Sequence, residues 1–401
     1  MIKNIVFFVE SPLSKRDFDR FGIQILRNEG FDVNIWYFKP YSLNRFHSIP
    51  EIQDLVHDDR LQIFERKSDV LKCISVLKDS DLVVCLLSFD YHNLFVYQAL
   101  SRKRSWYCVW QAVSLPVSIN TDIPSGFFFR KILKKIGEMK IRTIHYHFMT
   151  NLLKKHYRLL GVRPASIALL AGQRSDDVHF YPIGVNTKKI WLHLLDYDIY
   201  LKYREEGPDL TLGRYAVFLD EYIPFHPDYQ SMGVEPPASA DEYYPKLCTF
   251  FEFIEKKFDL RVIVAAHPRS NYDLTKKYFG DRQVIKGKTA QLVKDSVFVI
   301  AHASTSVDFA VLFKKPLMFI TTAAISCQQM GLYPYGGYIC TMAAAFRKVP
   351  VTIDNMGSVD WNKEMTVDDA IYQEYQNAYI KKNGTPELPF WKIFADYIRK
   401  M

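Results

Sequence analysis

The sequence alternates twice between short apolar runs and amphipathic segments, and this alternation limits the possible folds more than any other feature. Runs rich in Val, Ile and Phe are typical of parallel strands that helices cover on both faces. The runs are KNIVFFVE, DVNIWYF, DLVVCLLSF, SWYCVWQAV and ASIALLAG in the first half, and RYAVFLD, RVIVAAH, RQVIKG and VFVIAHA in the second. The segments between them predict helices, among them KRDFDRFGIQILRNEG, WLHLLDYDIYLKYREEGPDL and NYDLTKKYFG. The sequence therefore predicts an α/β protein with two Rossmann-like domains.

The two series join near residues 203–213, and a chain of 401 residues is long enough to bury two cores. We predict an N-terminal domain over residues 1–205 and a C-terminal domain over residues 206–375, which face each other across a cleft. The remaining segment, 376–401, contains PFWKIFADYIRK, a pattern typical of an amphipathic helix. We expect this helix to pack back on the N-terminal domain.

Polar residues follow three of the predicted strands in the C-terminal half. In an open parallel sheet, ligands bind beyond the carboxyl ends of the strands. If the three strands are parallel and share one sheet, their ends lie at one edge. The residues are Asp220 and Glu221 after RYAVFL, His267, Pro268 and Arg269 after RVIVAA, and His302, Ser304, Thr305 and Ser306 after VFVIA.

The residues after the second and third strands suit a phosphate. The first turn of a helix exposes unpaired N–H groups, and the three consecutive hydroxyls at 304–306 can cap that turn or donate to an anion. Pro268 ends its strand, and the His267 imidazole and the Arg269 guanidinium both donate to phosphate oxygens. A simple helix cap and a histidine satisfied in the core remain the alternatives.

The two carboxylates suit sugar transfer. Asp220 and Glu221 end a buried strand, where an unpaired carboxylate is costly. Such a group acts as general base towards an acceptor hydroxyl or as nucleophile on the anomeric carbon, and a capping role is the alternative. Because adjacent strand residues point to opposite faces, we do not expect the two to share one role. Asp228, in the second His-Pro pair (His226-Pro227-Asp228), is a further candidate.

The spacing of the cysteines and the absence of common motifs exclude several classes of protein. The six cysteines have no CxxC or Cys/His spacing, which predicts neither disulfides nor structural zinc and fits a reducing cytoplasm. GxGxxG, GxxxxGK[ST] and HExxH are absent, and we expect a reaction without a metal.

The formal charge of +8 favours anionic partners, but no motif predicts nucleic-acid binding. The apolar runs are too short to span a bilayer, and the N-terminus suits a first strand rather than a secretion signal.

Two further segments suggest partners. SGFFFRKILKKIGEMKIR, residues 125–142, mixes Phe, Ile and Leu with basic residues, so it could lie on an anionic membrane or pack on the core as a surface helix. Glu10, Ser11 and Ser14 follow the first strand and are candidates for the acceptor side of a two-domain enzyme. A loop with a helix cap is the alternative for these three residues.

The strand-end pattern resembles a known family. A strand ending in an acidic pair, a strand ending in His-Pro and a Ser/Thr-rich turn into a helix are similar to the pattern of bacterial GT-B glycosyltransferases that use CMP-activated acidic sugars. The whole chain is most similar to the WbbB-type β-Kdo transferase module of surface polysaccharide assembly, and FVESPLSKRDFDRFG also resembles the start of enzymes encoded in surface-polysaccharide clusters. The specific motifs cover residues 218–230, 265–270 and 301–309.

The resemblance implies an activity. The enzyme would move Kdo, or a related nonulosonic acid, from a CMP-sugar to a glycan or lipid-linked glycan acceptor of lipopolysaccharide O-antigen or capsule. The CMP-sugar is then a substrate, and no separate cofactor is expected. The cysteine content and segment 125–142, rather than the resemblance, predict a cytoplasmic protein that could contact the inner face of the cell membrane.

The resemblance also implies roles for single residues. Asp220 would be the catalytic carboxylate, His267 would contact the CMP moiety, and the hydroxyls at 304–306 would hold the donor phosphate. The β-Kdo enzymes are retaining, which would make the carboxylate a nucleophile. Tyr222 stands where many sialyltransferases have a glycine, so the match is incomplete at this position.

Two alternatives remain open. AHASTSVDFAVLFKKPLMFI also resembles a segment of CDP-glycerol glycerophosphotransferases, the teichoic-acid polymerases, which likewise use a cytidine nucleotide. An acidic sugar carries a carboxylate, which favours additional cations near the cleft. Arg269, Lys286 and Lys288 are available there, and they favour the acidic sugar over CDP-glycerol as the donor. The third hypothesis is a non-catalytic carbohydrate-binding or scaffold module at the membrane.

Overall fold

A computed structural model of the chain describes residues 2–39, 55–113, 116, 141–232, 235–273, 275–327, 335–356 and 359–401. The chain forms two compact units. Unit 1 comprises Met1–Val113, Ser118–His193 and Gly384–Met401, and unit 2 comprises Ser114–Val117 and Leu194–Asn383.

Unit 1 is built on a seven-stranded parallel sheet. The strand order is β3-β2-β1-β4-β5-β6-β7, which places β1 in the interior of the sheet. The strands are β1 (Asn4–Val9), β2 (Asp32–Phe38), β3 (Leu61–Phe64), β4 (Asp81–Cys85), β5 (Trp106–Ala112), β6 (Ile167–Ala171) and β7 (Lys188–Leu192). The helices are α1 (Lys15–Arg20), α2 (Ile23–Asn28), α3 (Lys67–Ser75), α4 (Leu94–Lys103) and α5 (Ile141–His156).

Unit 2 is built on a six-stranded parallel sheet of order β10-β9-β8-β11-β12-β13. The strands are β8 (Tyr215–Leu219), β9 (Arg261–Ala266), β10 (Val284–Lys286), β11 (Val299–Ala301), β12 (Leu317–Thr321) and β13 (Val351–Thr352). The helices are α6 (Leu195–Tyr203), α7 (Pro227–Met232), α8 (Ala240–Phe258), α9 (Thr289–Asp295), α10 (Val307–Leu312), α11 (Ala323–Cys327), α12 (Tyr335–Ala345), α13 (Trp361–Glu364) and α14 (Asp369–Tyr375), the last continued by a π-helical turn at Gln376–Ile380.

Burial on both faces explains why the strands are continuous apolar runs. Every residue of β4, β6, β8 and β12 is buried. A strand exposed on one face would alternate apolar and polar residues, whereas these strands are buried on both faces, as is typical of parallel sheets in α/β proteins. The predicted pair of parallel-sheet α/β domains is confirmed.

The last helix, α15 (Phe390–Arg399), packs on unit 1. The Trp391 indole N–H donates to the Arg20 carbonyl at 2.7 Å, and the indole lies edge-on to the Phe7 ring, 5.3 Å between centroids. Gly22 faces the same indole with φ of +56°, and a Cβ at this position would overlap the Trp391 ring. Burying a side chain of this size stabilises the unit by roughly 1.5–3 kcal/mol. The predicted return of the C-terminal helix to the N-terminal domain is confirmed.

Two of the helix predictions were wrong, and a third holds for only part of its segment. The segment ending at Gly30 forms two short helices, α1 and α2, because Gly22 between them adopts a left-handed conformation. The helix predicted in WLHLLDYDIYLKYREEGPDL forms as α6, but it begins only at Leu195, because Trp191 and Leu192 belong to the edge strand β7, which pairs with β6. The described part of NYDLTKKYFG forms turns, in which the Asp273 carboxylate accepts from the Thr275 backbone N–H at 3.0 Å and competes with helical bonding.

Within the described residues, no helix is both long and apolar enough to cross a membrane. The basic helix predicted at 125–142 falls almost entirely outside those residues.

Candidate functional site

The ends of three adjacent strands form the candidate site of unit 2. β8 lies between β9 and β11, and all three run parallel, with Leu219 opposite Ala265 and Phe218 opposite Ile300. Their carboxyl ends therefore share one edge of the sheet. The structure brings together at this edge the three groups of residues that the sequence singles out, at 220–221, 267–269 and 302–306.

The Asp220 carboxylate is enclosed and fully engaged. The residue is 4% exposed. Its Oδ1 accepts from the Tyr222 backbone N–H at 2.9 Å, and its Oδ2 accepts from the His267 backbone N–H at 3.1 Å and the Tyr272 hydroxyl at 2.8 Å. Burial raises the pKa of this carboxyl, and the three donated bonds oppose that rise. Asp220 thus ties the turn after β8 to the turn after β9.

Tyr272 is a partner that sequence reasoning missed. Its hydroxyl donates to Asp220 and accepts from the Tyr244 hydroxyl at 3.3 Å, and its ring lies edge-on to Tyr222. Burial and the nearby Asp220 charge raise the pKa of Tyr272 far above its usual value, so the phenol remains a donor. The residue lies in NYDLTKKYFG, where a predicted helix concealed its part in the turn after β9.

Glu221 points to the other neighbouring strand. Its Oε1 accepts from the Ala303 backbone N–H at 2.7 Å, and the side chain is half-buried. Asp220 therefore engages the β9 side and Glu221 engages the β11 side, so the two carboxylates have different partners. Of the two carboxylates, Glu221 is the one that solvent reaches.

His267 presents one ring nitrogen as a donor. Its Nδ1 accepts from the Arg269 backbone N–H at 3.2 Å, which in the neutral ring assigns the proton to Nε2. The His267 carbonyl accepts from the Ser270 N–H and hydroxyl, at 2.9 and 2.7 Å, so the turn after β9 is fixed at both ends. Pro268 and Arg269 are exposed on this turn.

Arg269 is paired with a carboxylate from the first turn of α7, the helix that follows β8. Its two terminal nitrogens donate to the two Asp228 oxygens, Nη1 to Oδ1 at 2.9 Å and Nη2 to Oδ2 at 3.2 Å. Nη2 also lies 3.2 Å from His226 Nε2, and the His226 and His267 rings are 4.9 Å apart. Burial lowers the pKa of His226, Asp228 raises it and Arg269 lowers it. Asp228, a further candidate in the sequence, thus belongs to the same edge.

His302 is enclosed in the core at 0% exposure. Its Nδ1 lies 2.7 Å from the Ile320 carbonyl and its Nε2 lies 2.8 Å from the Tyr243 hydroxyl. A carbonyl only accepts, so Nδ1 carries the proton and Nε2 accepts from Tyr243. Burial lowers the pKa of His302 to about 4, which leaves the ring neutral at neutral pH. The ring links the end of β11 to β12.

The hydroxyl turn is the most open part of the edge. Thr305 is exposed, and Ser304 and Ser306 are half-buried. The Ser306 backbone N–H donates to Ser304 Oγ at 3.2 Å, and the Val307 N–H donates to the Ser304 carbonyl at 3.2 Å. Ser304 therefore closes the turn into α10, while Thr305 presents its side chain to solvent.

Lys286, at the end of β10, is held at the neighbouring turn. Its ammonium donates to the Ser270 carbonyl at 2.8 Å. Lys288 follows at the start of α9 and is exposed. The edge of the sheet therefore carries basic residues on the β9–β10 side.

In unit 1 the residues that follow β1 play different parts. Glu10 Oε1 accepts from the Ser88 hydroxyl at 2.7 Å and its Oε2 accepts from the Asn93 amide at 3.1 Å. Ser14 caps α1 by accepting from the Asp17 N–H at 3.1 Å, and Ser11 is exposed. Glu10 is thus tied to the loop after β4, the neighbouring strand.

A cavity of about 440 Å³ opens at the ends of β4 and β5 in unit 1. Sequence reasoning missed it, because its residues are scattered over four separate segments. Ser88, the partner of Glu10, contributes to its wall. The other lining residues include Phe89, Asp90, Trp110, Lys154 and Tyr181.

The residues that the structure describes contain no cluster of three or more His, Cys, Asp or Glu side chains that could hold a metal ion. Cys73, Cys85, Cys108, Cys248 and Cys340 are free thiols.

No protein-family model matches the chain, and no curated protein matches it. Among solved structures, a variant of the wall teichoic acid polymerase TagF soaked with CDPG matches 99% of this chain and 88% of its own at 10% identity, with a TM-score of 0.50. MnaA of S. aureus with UDP matches 100% of this chain and 98% of its own at 10% identity and a TM-score of 0.48. MurG of Acinetobacter baumannii matches 100% of both chains at 9% identity and a TM-score of 0.45. At this identity the TagF likeness shows the fold alone, and the chain has the predicted GT-B-like fold.

Proposed function

We propose that the protein is a glycosyltransferase that binds a cytidine nucleotide-activated donor at the carboxyl edge of the unit 2 sheet. One observation supports this above all: three adjacent strand ends gather an imidazole N–H donor, a carboxylate and a hydroxyl turn at one edge. Ligands of open parallel sheets bind at such an edge. The donors at this edge suit the phosphate of a nucleotide.

The phosphate-binding groups lie on two of the three turns. His267 Nε2–H donates from the turn after β9, and Thr305 presents its hydroxyl from the turn after β11. Ser304 and Ser306 shape the second turn, because the Ser306 N–H donates to the Ser304 hydroxyl. His302, enclosed between β11 and β12, supports the turn from behind.

The two carboxylates have separate roles in this proposal. Asp220 is a positioning residue, because its three donors hold the turns after β8 and β9 together. Glu221 is the catalytic carboxylate at this edge, since it is half-buried and adjoins the hydroxyl turn. Acting as a general base, it takes the proton of an acceptor hydroxyl, whose oxygen bonds to the anomeric carbon of the sugar as the bond from that carbon to the CMP phosphate breaks and CMP leaves.

The donor is a CMP-activated acidic sugar, Kdo or a related nonulosonic acid. The support is the strand-end pattern, which resembles that of enzymes using such donors, and the basic residues Arg269, Lys286 and Lys288 near the edge. The acceptor glycan binds in the cavity of unit 1, where aromatic rings and polar side chains surround the loop that holds Glu10. The protein works at the cytoplasmic face of the membrane, to which segment 125–142 attaches it.

The second candidate is a CDP-glycerol glycerophosphotransferase. The observation that favours it is the order of residues in STSVDFAVLFKKP, where the hydroxyl turn, Asp308-Phe309-Ala310 and Lys315-Pro316 follow one another. Both candidates use a cytidine nucleotide and differ in the group transferred.

A turnover assay tests the proposal. The purified chain is incubated with CMP-Kdo, CMP-sialic acid or CDP-glycerol and a panel of glycan acceptors, and release of CMP is measured with and without EDTA. We expect acceptor-dependent release from a CMP-sugar, unchanged by EDTA and lost in Glu221→Gln. Release from CDP-glycerol alone would establish the second candidate, and no release from any donor would favour a non-catalytic binding module.

A further inference from the structure

Two His-Pro turns lie side by side at the edge of the unit 2 sheet. His226-Pro227-Asp228 follows β8, and His267-Pro268-Arg269 follows β9, its parallel neighbour. The two imidazole rings are 4.9 Å apart at an interplanar angle of 66°. The third residue of one turn is an acid and the third residue of the other is a base, and these two side chains meet.

The Arg269 guanidinium holds Asp228 in the same geometry that it would offer to an anionic ligand. The two parallel bonds, 2.9 and 3.2 Å, use both terminal nitrogens on both carboxylate oxygens. Carboxylates and phosphates bind arginine in this bidentate manner. The backbone N–H of Arg269 also fixes the His267 ring, so the guanidinium and the Nε2–H donor belong to one turn.

The Arg269–Asp228 pair is replaceable. Each side chain is 47% exposed, and an ion pair exposed to this extent adds little stability because water and salt screen it. A ligand oxyanion that takes the place of Asp228 keeps both bonds of the arginine. The displaced carboxylate remains at the first turn of α7, where the helix dipole favours a negative charge.

We propose that Asp228 occupies the Arg269 fork in place of a ligand oxyanion, and that the phosphate or carboxylate of the donor exchanges with it. Asp228 then acts as an internal competitor that sets the affinity of this edge for anions. The identity of the natural ligand rests on the proposed function, whereas the exchange itself rests on the exposed Arg269–Asp228 pair. An acidic sugar nucleotide, with both a phosphate and a carboxylate, offers two groups for this exchange.

Four variants test the exchange: Asp228→Asn, Arg269→Gln, the double variant and Asp281→Asn. The last is the matched control, because Asp281 forms another exposed ion pair of unit 2, with Lys277 at 2.6 Å, and its replacement removes the same charge. Each protein is titrated calorimetrically with CMP and with cytidine, and thermal unfolding checks that each is folded.

We expect Asp228→Asn to bind CMP about two- to five-fold more tightly, the range that an exposed ion pair supports, with cytidine binding unchanged. In the Arg269→Gln background, the same substitution should have no effect. Equal tightening with and without Arg269, or in Asp281→Asn, would show a general charge effect and overturn the exchange. Unchanged or weaker CMP binding in Asp228→Asn would overturn it as well.

A second titration separates this inference from the proposed function. Inorganic phosphate is titrated into the same proteins, using the ligand-dependent rise in melting temperature as the readout. If CMP fails to bind the unmodified protein, the proposed function fails, and the phosphate series alone decides the exchange. Stronger phosphate stabilisation of Asp228→Asn that requires Arg269 supports the exchange. Phosphate stabilisation that is absent or independent of Asp228 overturns it.

Discussion

Asp220→Asn distinguishes a positioning carboxylate from a reacting one. Asparagine keeps the shape of the side chain but removes its charge and one acceptor oxygen. The amide oxygen can serve either the Tyr222 N–H or the pair formed by the His267 N–H and the Tyr272 hydroxyl. In either orientation, at least one backbone N–H at this 4% exposed position faces an NH₂ group and loses its acceptor.

The size of the effect follows from that lost bond. A buried donor without a partner destabilises a protein by about 1–3 kcal/mol. With a urea m-value of about 2 kcal/mol/M, the transition midpoint falls by roughly 0.5–1.5 M. Because the His267 N–H is one of the donors, the turn that carries the imidazole also shifts, and we expect CMP binding to weaken together with stability.

Urea unfolding followed by circular dichroism measures the change, with Asp281→Asn as the exposed control, for which we expect no more than about 0.5 kcal/mol. If Asp220 were instead an accessible nucleophile, Asp220→Asn would leave the midpoint and CMP affinity unchanged and abolish turnover alone. That result would refute the assignment of Asp220 as a positioning residue.

Three further predictions concern stability. Asp308 is 0% exposed. Burial raises the pKa of its carboxyl well above the usual value, the Asp196 charge adds to the rise, and the Tyr375 hydroxyl opposes it. The folded protein therefore loses stability as the pH rises above about 3.9, the pKa of an unfolded aspartate. Asp308→Asn should unfold at a higher temperature than the unmodified protein at pH 7 but not at pH 4. Equal melting temperatures of the two proteins at both pH values would contradict this prediction. His302, whose pKa is lowered to about 4, binds its proton more readily when unfolded. Its contribution of roughly 3 kcal/mol to the free energy of unfolding is present above pH 6.5 and is lost as the pH falls towards 4. His302→Gln should therefore flatten this part of the stability profile, measured by urea unfolding. An unaltered slope would contradict the burial argument. Gly22→Ala should destabilise unit 1 by more than about 1 kcal/mol, because alanine is strained at φ of +56° and its Cβ overlaps Trp391. Limited proteolysis should then release the C-terminal helix. An unchanged cleavage rate would contradict the close approach of Gly22 to the Trp391 ring.

The strands and the shared edge of the unit 2 sheet were predictable because burial on both faces leaves a strong sequence pattern. Runs such as YAVFL and VIVAA are apolar throughout, and the parallel arrangement then places their ends together. The short edge strands β3 and β13 and the strand β7 were missed. Their pairing with a neighbour, rather than their own pattern, gives them their conformation.

The candidate residues were predictable, but their orientation was not. Asp220 and Glu221 follow the same strand, and only the structure shows that one meets three donors while the other adjoins the hydroxyl turn. His302 follows a strand end, as His267 does, yet its ring turns inward to Tyr243. A side chain's direction after a strand depends on turn geometry and on partners that are distant in sequence, such as Tyr272, 52 residues from Asp220.

The central claim is that the edge formed by β9, β8 and β11 binds the phosphate of a cytidine nucleotide. Calorimetric titration of CMP into the unmodified protein and into His267→Ala tests it most directly. We expect one CMP per chain and at least a ten-fold weaker affinity in the variant, since the Nε2–H bond to a phosphate is charge-assisted. CMP that fails to bind the unmodified protein, or that binds both proteins equally well, would contradict the claim.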